Sequence, residues 1–191
     1  VNKSLDLGCN NRPRNPYHCQ ELYGVDLGWH DMENVVYHQA DLATEPIPFA
    51  DNYFDYVSAF DFLEHIPRLL PKDGGTRLPF IEVMNEIWRV LKPNGIFYAV
   101  TPAYPSSAAF QDPTHVNIIT EKTHEYFCGE APAGKMYGFN GQFEALRTEF
   151  VMAKMAFTAE KSAAKSLYNL KYRLINPSRL THFLWELRAQ K

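Results

Sequence analysis

From Phe54 to Phe60 the chain reads Phe-Asp-Tyr-Val-Ser-Ala-Phe, a nearly unbroken apolar run of strand length. A strand apolar along almost its whole length must be covered on both faces, as a central strand of a parallel sheet is. Four other short runs accompany it: Ser4–Leu7 ending at Gly8, Leu22–Val25 ending at Asp26, Val35–Tyr37 leading to Asp41, and Gly95–Val100 stopping at Thr101-Pro102. Strands alternating with loops and helical patterns in this way predict an α/β fold built on a parallel sheet.

The clearest helical pattern runs from Pro79 to Leu91, where Phe80, Val83, Met84, Ile87 and Leu91 form one stripe. Pro79 suits a first turn, and Pro93-Asn94-Gly95 stops the helix and turns the chain into the next strand. A short helix is expected at about Thr120 to Phe127. Strand character returns from Phe143 to about Ala156. Residues Glu160 to Leu174 place Ala163, Leu167, Leu170 and Leu174 on one helical face, and Thr181 to Leu187 makes a final strand. No repeat, low-complexity tract or linker interrupts the pattern, so residues 1–191 are expected to form a single domain.

The turn after the first strand, Leu5-Asp6-Leu7-Gly8-Cys9-Asn10-Asn11, lies where parallel sheets bind nucleotide-like ligands. Gly8 permits close backbone approach, and Asn10 or Asn11 tolerates a left-handed conformation better than most residues. Asp26 ends the second strand, where a carboxylate can accept ribose hydroxyl protons. An ordinary strand-to-loop turn with a solvated Asp26 fits the same residues. The Gly-x-Gly-x-x-Gly turn of nicotinamide dehydrogenases is missing.

In order along the chain stand Leu5-Asp6-Leu7-Gly8-Cys9, Gly24-Val25-Asp26, Ala40-Asp41-Leu42, Phe54-Asp55 through Phe62-Leu63-Glu64-His65-Ile66, and Glu86-Ile87-Trp88-Arg89-Val90-Leu91-Lys92-Pro93-Asn94-Gly95. This set resembles the class I S-adenosylmethionine-dependent methyltransferases, in their small-molecule branch, over roughly residues 4 to 127. The resemblance implies a Rossmann-like doubly wound sheet of seven mostly parallel strands, an antiparallel last pair, and helices on both faces. It implies S-adenosylmethionine as cofactor and S-adenosylhomocysteine as product, with methyl transfer by in-line displacement to an O or N atom of a small-molecule acceptor. It gives Asp6, Gly8, Cys9 and Asn10 to the methionine end of the cofactor and Asp26 to the ribose, with Leu27 beside the adenine. Asp41 and the Leu42 amide would meet the adenine, and Phe60 the ammonium, with Asp61 close by. The family usually carries a second glycine where this chain has Asn10, and either Arg12 or Arg14 could pair with the methionine carboxylate. A catalytically silent cofactor-binding or scaffold module with the same fold is the alternative function.

An acceptor hydroxyl must lose its proton as it attacks, and an amine must arrive neutral. The long loop Thr101 to Asn117 carries His115, whose ordinary titration suits a base, with Asp112 three residues before it as an orienting partner. The same two residues could equally hold the loop in shape. His65, after the fourth strand, is a further chemical candidate. Arg68 to Arg77 and Gly129 to Gly141 are expected to shape the acceptor site, and Tyr104, Phe110, Tyr137 and Phe139 could line it.

Composition narrows the partners. A net charge of −3 argues against binding nucleic acid through a basic surface. No run is long and apolar enough for a transmembrane segment. Cys9, Cys19 and Cys128 are odd in number and lack zinc-ribbon spacing, which suggests reduced thiols and a cytoplasmic protein. Cys9 with His18 and Cys19 lacks a fourth ligand, so no metal is expected. Residues 160–191, the basic C-terminal helix and final strand, hold seven Lys or Arg against two acids, a net of +5. That segment is expected to present a solvated face or to meet an anionic partner. The first strand begins close to Val1, so acceptor specificity is expected from internal loops, the basic tail, a second subunit as in a homodimer, or sequence before Val1.

Overall fold

The structure, a computed structural model, describes residues 1–160, 162–175 and 177–191. Lys161 of the basic tail lies outside the described residues. Strands β1 (Lys3–Leu7), β2 (Glu21–Asp26), β3 (Val35–Gln39) and β4 (Phe54–Phe60) follow one another. A small hairpin, β5 (Leu70–Lys72) and β6 (Gly75–Arg77), precedes helix α1 (Pro79–Val90) and the long strand β7 (Leu91–Pro102). Strand β8 (Phe143–Val151), helix α2 (Ala163–Ile175) and strand β9 (His182–Ala189) complete the chain. Seven strands form one sheet in the order β3-β2-β1-β4-β7-β9-β8. β3, β2, β1, β4 and β7 pair in parallel, and β9 runs antiparallel to both neighbours. The Rossmann-like α/β sheet expected from the sequence is therefore present, antiparallel last pair included.

Side chains alternate between the two faces of this sheet. One face sends Leu5, Leu7, Val57, Ala59, Phe97, Ala99, Trp185 and Leu187 into the main core, against the α1 stripe of Phe80, Val83, Met84 and Ile87. Leu91, expected at the end of that stripe, leaves the helix with extended backbone and opens β7, because Pro93 lies two residues ahead. Trp88 fastens α1 to the far end of the sheet, its indole N–H shared between the Gln142 and Gln190 carbonyls at 3.1 and 3.2 Å. Gly141 is small because a Cβ there would sit 2.6 Å from the Trp88 ring.

The second face is different. It carries Phe60, Tyr98, Val100 and Leu184, but also the buried polar side chains Asp6, Ser58 and Glu186. Irregular chain covers it. Tyr17 stacks on Tyr56 with ring centroids 4.1 Å apart and donates to Glu186 Oε1 at 3.0 Å. The short turn Ala153–Ala156 closes the rest, where the Ala156 carbonyl accepts from the Tyr98 hydroxyl at 2.9 Å. Helical cover is thus thinner than a doubly wound sheet usually has. Among the described residues no α-helix joins β1 to β2, β2 to β3 or β3 to β4; Pro13 and Pro16 punctuate the first of these connections and Pro46 and Pro48 the last.

Three segments gain local detail. The helix expected at Thr120–Phe127 is a 3-10 segment, Thr123–Phe127, with the Thr120 amide capped by the Thr123 hydroxyl at 2.9 Å. The segment Arg68 to Arg77 is largely a hairpin whose Asp73-Gly74 turn puts Gly74 at φ +76. The α2 face bearing Leu167, Leu170 and Leu174 is exposed, at 69%, 51% and 75%. No helix among the described residues is long and apolar enough to cross a membrane.

Trp88→Phe keeps an aromatic ring against the core but removes the five-membered ring with its shared N–H, leaving two carbonyls to find other donors. It should lower stability by about 1–2 kcal/mol in urea unfolding. An unchanged midpoint would show that the indole N–H does not fasten the helix.

Candidate functional site

β1 is followed by β2 on one side, and the chain then crosses to β4 on the other. The sheet order therefore reverses between β1 and β4, and the loops at their carboxyl ends splay apart there.

Asp6 is at the bottom, 2% exposed. The parallel register sets it beside Ser58, whose hydroxyl donates to Asp6 Oδ1 at 2.6 Å, and the Arg14 amide donates to Oδ2 at 2.7 Å. Burial still dominates and pushes the Asp6 carboxyl up to about 7. Both carboxylate oxygens are thus engaged inside the protein, holding the returning loop. Cys9 is also internal; burial pushes its thiol up to about 12, and a Cβ on Gly24 would lie 2.7 Å from its sulfur. Gly24 is the space into which the loop folds.

Gly8 and Asn10 take left-handed backbone at φ +66 and +49, so Asn10 adopts a conformation a glycine would take freely. A Cβ on Gly8 would come within 2.6 Å of the Phe62 ring, which makes Phe62 the roof of this turn. The carboxylate of Asp26 closes the loop from β2: Oδ2 accepts the Asn10 amide at 2.8 Å and Oδ1 the Gly28 amide at 3.1 Å. Each oxygen keeps a second lone pair, and the residue is half-buried. Leu27 beside it is 67% exposed. Asp41 caps its own turn through Ala43 N at 3.0 Å and Thr44 Oγ1 at 3.1 Å, with Leu42 buried next to it. Arg12 is exposed, whereas the half-buried Arg14 guanidinium stacks on Phe157 at 4.3 Å, with the Phe60 ring 5.9 Å away.

At the end of β4 the Phe60 backbone pairs with Val100, and Asp61 turns out at φ +49 with its amide on the Val100 carbonyl at 2.9 Å. Asp61 Oδ1 meets His182 Nε2 at 3.0 Å. His182 gives no sign in the sequence, because it comes from the start of β9.

One 3-10 turn, Leu63–His65, then carries a cluster. Glu64 is 1% exposed; its Oε2 accepts from the Thr101 hydroxyl at 2.8 Å, and its backbone carbonyl accepts the Val116 and Asn117 amides, both at 2.9 Å. Its Oε1 has no hydrogen-bond partner and faces His115 Nε2 at 3.9 Å. Burial pushes the Glu64 carboxyl up to about 7. The His65 and His115 rings meet edge to face, centroids 4.8 Å apart. His115 Nδ1 rests on the Ala109 carbonyl at 3.2 Å, so this carbonyl, rather than Asp112, orients the ring. The Asp112 carboxylate instead accepts from the Thr114 amide and hydroxyl at 2.8 and 2.7 Å, which holds it below the usual carboxylate range. Thr114 Oγ1 lies 3.1 Å from His65 Nδ1, so Asp112 acts on His65 through Thr114. Arg68 clamps the loop from outside, through Asn117 Oδ1 at 2.6 Å and the Ile118 carbonyl at 2.7 Å. Tyr104, Phe110 and Tyr137 are half-exposed, whereas Phe139 belongs to the core.

Glu64 joins the site although the sequence singles out only its neighbour His65. Its signal was adjacency to His65, but only the fold brings His115 to it. What the crevice offers is a carboxylate and a left-handed loop on one side, and a carboxylate with two imidazoles on the other.

Residues 5–99 match a family described as a methyltransferase domain. No curated protein matches the sequence significantly. Among solved structures, all of the chain overlays 83% of a chain from the Haloferax volcanii complex of the Trm112 methyltransferase activator with a protein described as a methyltransferase, at TM-score 0.61 and 13% identity. It covers 97% of itself and 90% of an S-adenosylmethionine-dependent methyltransferase from Mesorhizobium loti, at TM-score 0.55 and 13% identity. A Listeria monocytogenes protein described in the same terms is covered to 90% by the whole chain, at TM-score 0.54 and 14% identity. At such identities the likeness establishes the shared fold.

The pKa of Asp6 has a consequence for stability. Its folded value of about 7 lies above the ordinary 3.8, so folding takes up a proton between these values. The stability it contributes is complete in acid and is lost as pH rises through about 4 to about 7. Asp6→Asn removes this titration. The stability of the parent relative to Asp6→Asn, from urea unfolding, should therefore fall between about pH 4.5 and about pH 7.5. A difference that stays constant with pH would contradict the buried, proton-binding Asp6.

Proposed function

Because this chain belongs to the class I methyltransferase family, we propose that it transfers a methyl group from S-adenosylmethionine to an O or N atom of a small-molecule acceptor. The observation that carries this reading is the pairing of two unlike halves across the β1/β4 crevice: Asp26 with the Gly8–Asn10 turn on one side, and Glu64 with His65 and His115 on the other.

The residues present fit the cofactor. Asp26 is held at the mouth of the loop by two amides and retains acceptor capacity for ribose hydroxyls. Leu27 offers an exposed apolar surface for the adenine, and Asp41, with the adjacent Leu42 amide, lies at the end of β3. Of the two arginines considered for the methionine carboxylate, the stacked, half-buried Arg14 is the better placed. Asp6 and Cys9 would act by shaping the loop from inside, while Gly8 and Asn10 lend it backbone. Phe60 and Asp61 would border the methionine end from β4.

When bound, S-adenosylmethionine supplies an electrophilic methyl group on a sulfonium. The chain's task is alignment and handling of the acceptor's proton. Glu64, His65 and His115 are the ionisable groups that would meet the acceptor, with Asp112 positioning His65 through Thr114. The stiff loop Thr101 to Asn117, pinned to Glu64 and Arg68, would form the acceptor side of the site, with Tyr104 and Phe110 as its exposed aromatic surface.

Calorimetry with S-adenosylhomocysteine should give one site per chain. Asp26→Ala removes the ribose acceptor and releases the Asn10 amide, and should weaken binding by about tenfold to a hundredfold or more. His115→Ala should leave that affinity within a few-fold while lowering methyl transfer to any acceptor found. Absence of binding in the parent protein, or undiminished binding by Asp26→Ala, would overturn the assignment.

A further inference from the structure

We propose that Glu64, His65 and His115 form the binding site of a divalent transition-metal ion, with an open position toward the acceptor side of the crevice. One ligand atom from each residue lies within 4.8 Å of the others, a two-imidazole, one-carboxylate set. Glu64 is 1% exposed, and its Oε1 points into the cluster without a hydrogen-bond partner. A buried carboxylate oxygen left unpaired is costly, and a cation would complete it.

The outer contacts set both rings for ligation. The Thr114 hydroxyl gives its proton to Asp112 Oδ1 at 2.7 Å, which can only accept. Thr114 Oγ1 is then the acceptor for His65 Nδ1 at 3.1 Å, placing the ring proton on Nδ1 and a lone pair on Nε2. The Ala109 carbonyl does the same for His115 Nδ1 at 3.2 Å. Metal-binding imidazoles are held in this way, each donating its other N–H to a carbonyl or an acidic chain. His115 Nε2 and Glu64 Oε1 are therefore two lone-pair atoms facing each other across 3.9 Å, too far for a hydrogen bond. An ion about 2.0–2.1 Å from each spans that gap, and a closure of about half an ångström gives a tetrahedral angle. The other oxygen of Glu64, Oε2, is fixed by the Thr101 hydroxyl at 2.8 Å, so the unpaired Oε1 is already aimed.

The donor set selects the ion. Two imidazole nitrogens favour zinc, manganese, iron or cobalt over magnesium or calcium, which take oxygen ligands. Three protein ligands leave at least one coordination position vacant, the mark of sites that act on a substrate rather than brace a fold. If the methyltransferase reading holds, on which this last step rests, the acceptor would present an oxygen to that position. Sequence spacing hides the site, since Glu64 and His65 are neighbours and His115 is fifty residues away.

The test is a calorimetric titration of the chelator-treated protein with Zn2+ and with Mn2+, without cofactor or acceptor, alongside metal content by mass spectrometry. The parent should bind one ion per chain. His65→Ala and His115→Ala, which leave buried Glu64 in place, should each weaken binding by more than about tenfold. Zinc held by Cys9, Cys19 or Cys128 would survive both substitutions. No binding by the parent, or binding undiminished in both variants, would overturn the site. Folding of the variants is read independently by their S-adenosylhomocysteine affinity and circular dichroism; should His65→Ala or His115→Ala misfold, Thr114→Val, which removes the outer contact to His65, should still weaken metal binding severalfold. Zinc binding without any affinity for S-adenosylhomocysteine would sink the methyltransferase reading and leave the metal site standing. The reverse result would sink the metal site alone.

Discussion

The buried carboxylate of Asp6 holds the rest in place. It lies on the sheet face that irregular chain covers around Tyr17, and it can be buried only because two donors reach it. Ser58 comes from the neighbouring strand and fixes the pairing of β1 with β4. The Arg14 amide comes from the loop and makes that loop return across the sheet, carrying Tyr17 onto Tyr56 and Glu186. An α-helix would have spent its amides on itself; an extended segment has them free for the sheet's polar side chains. The irregular cover is therefore a consequence of the polar residues at the centre of the second face.

The return of the loop also shapes its outer side. With Cys9 drawn into the space over Gly24, Gly8 and Asn10 turn left-handed and Asp26 takes the Asn10 amide. Across the crevice, Glu64 is pinned by Thr101 and by the amides of Val116 and Asn117, so the loop after β7 is bound to the turn after β4. The first half rests on β1 and β2 and the second on β4 and β7, four neighbouring strands of one sheet with largely buried side chains. Rigid strands beneath two loops of opposite chemistry are what an alignment reaction requires.

Much of this was legible beforehand. The continuous run Phe54–Phe60 predicts its strand to the residue, and the stripe from Phe80 to Ile87 predicts α1. The number and polarity of the strands follow from the resemblance carried by Leu5–Cys9, Gly24–Asp26 and Glu86–Gly95, whereas their order is a finding of the structure. What was not legible depends on contacts between distant residues. Nothing local says that Asp6 is turned inward; that follows from Ser58 and Arg14. Nothing near His115 says that its partners are Ala109 and Glu64, and the nearby Asp112 drew attention because it is close in sequence, although its carboxylate serves Thr114. The hairpin at Asp73-Gly74 had a local signal, the Asp-Gly pair, whereas the exposed leucines of α2 show that a helical stripe gives a face without giving what covers it.

We propose that one crevice joins a cofactor half to an acceptor half. A crystal structure of the protein soaked with S-adenosylhomocysteine tests it most directly. The ribose hydroxyls should lie on the Asp26 carboxylate, the amino-acid end under Phe62 near Arg14, and the sulfur open toward His65 and His115. A ligand bound away from the β1/β4 crevice, or one whose sulfur is walled off from those two imidazoles, would contradict it.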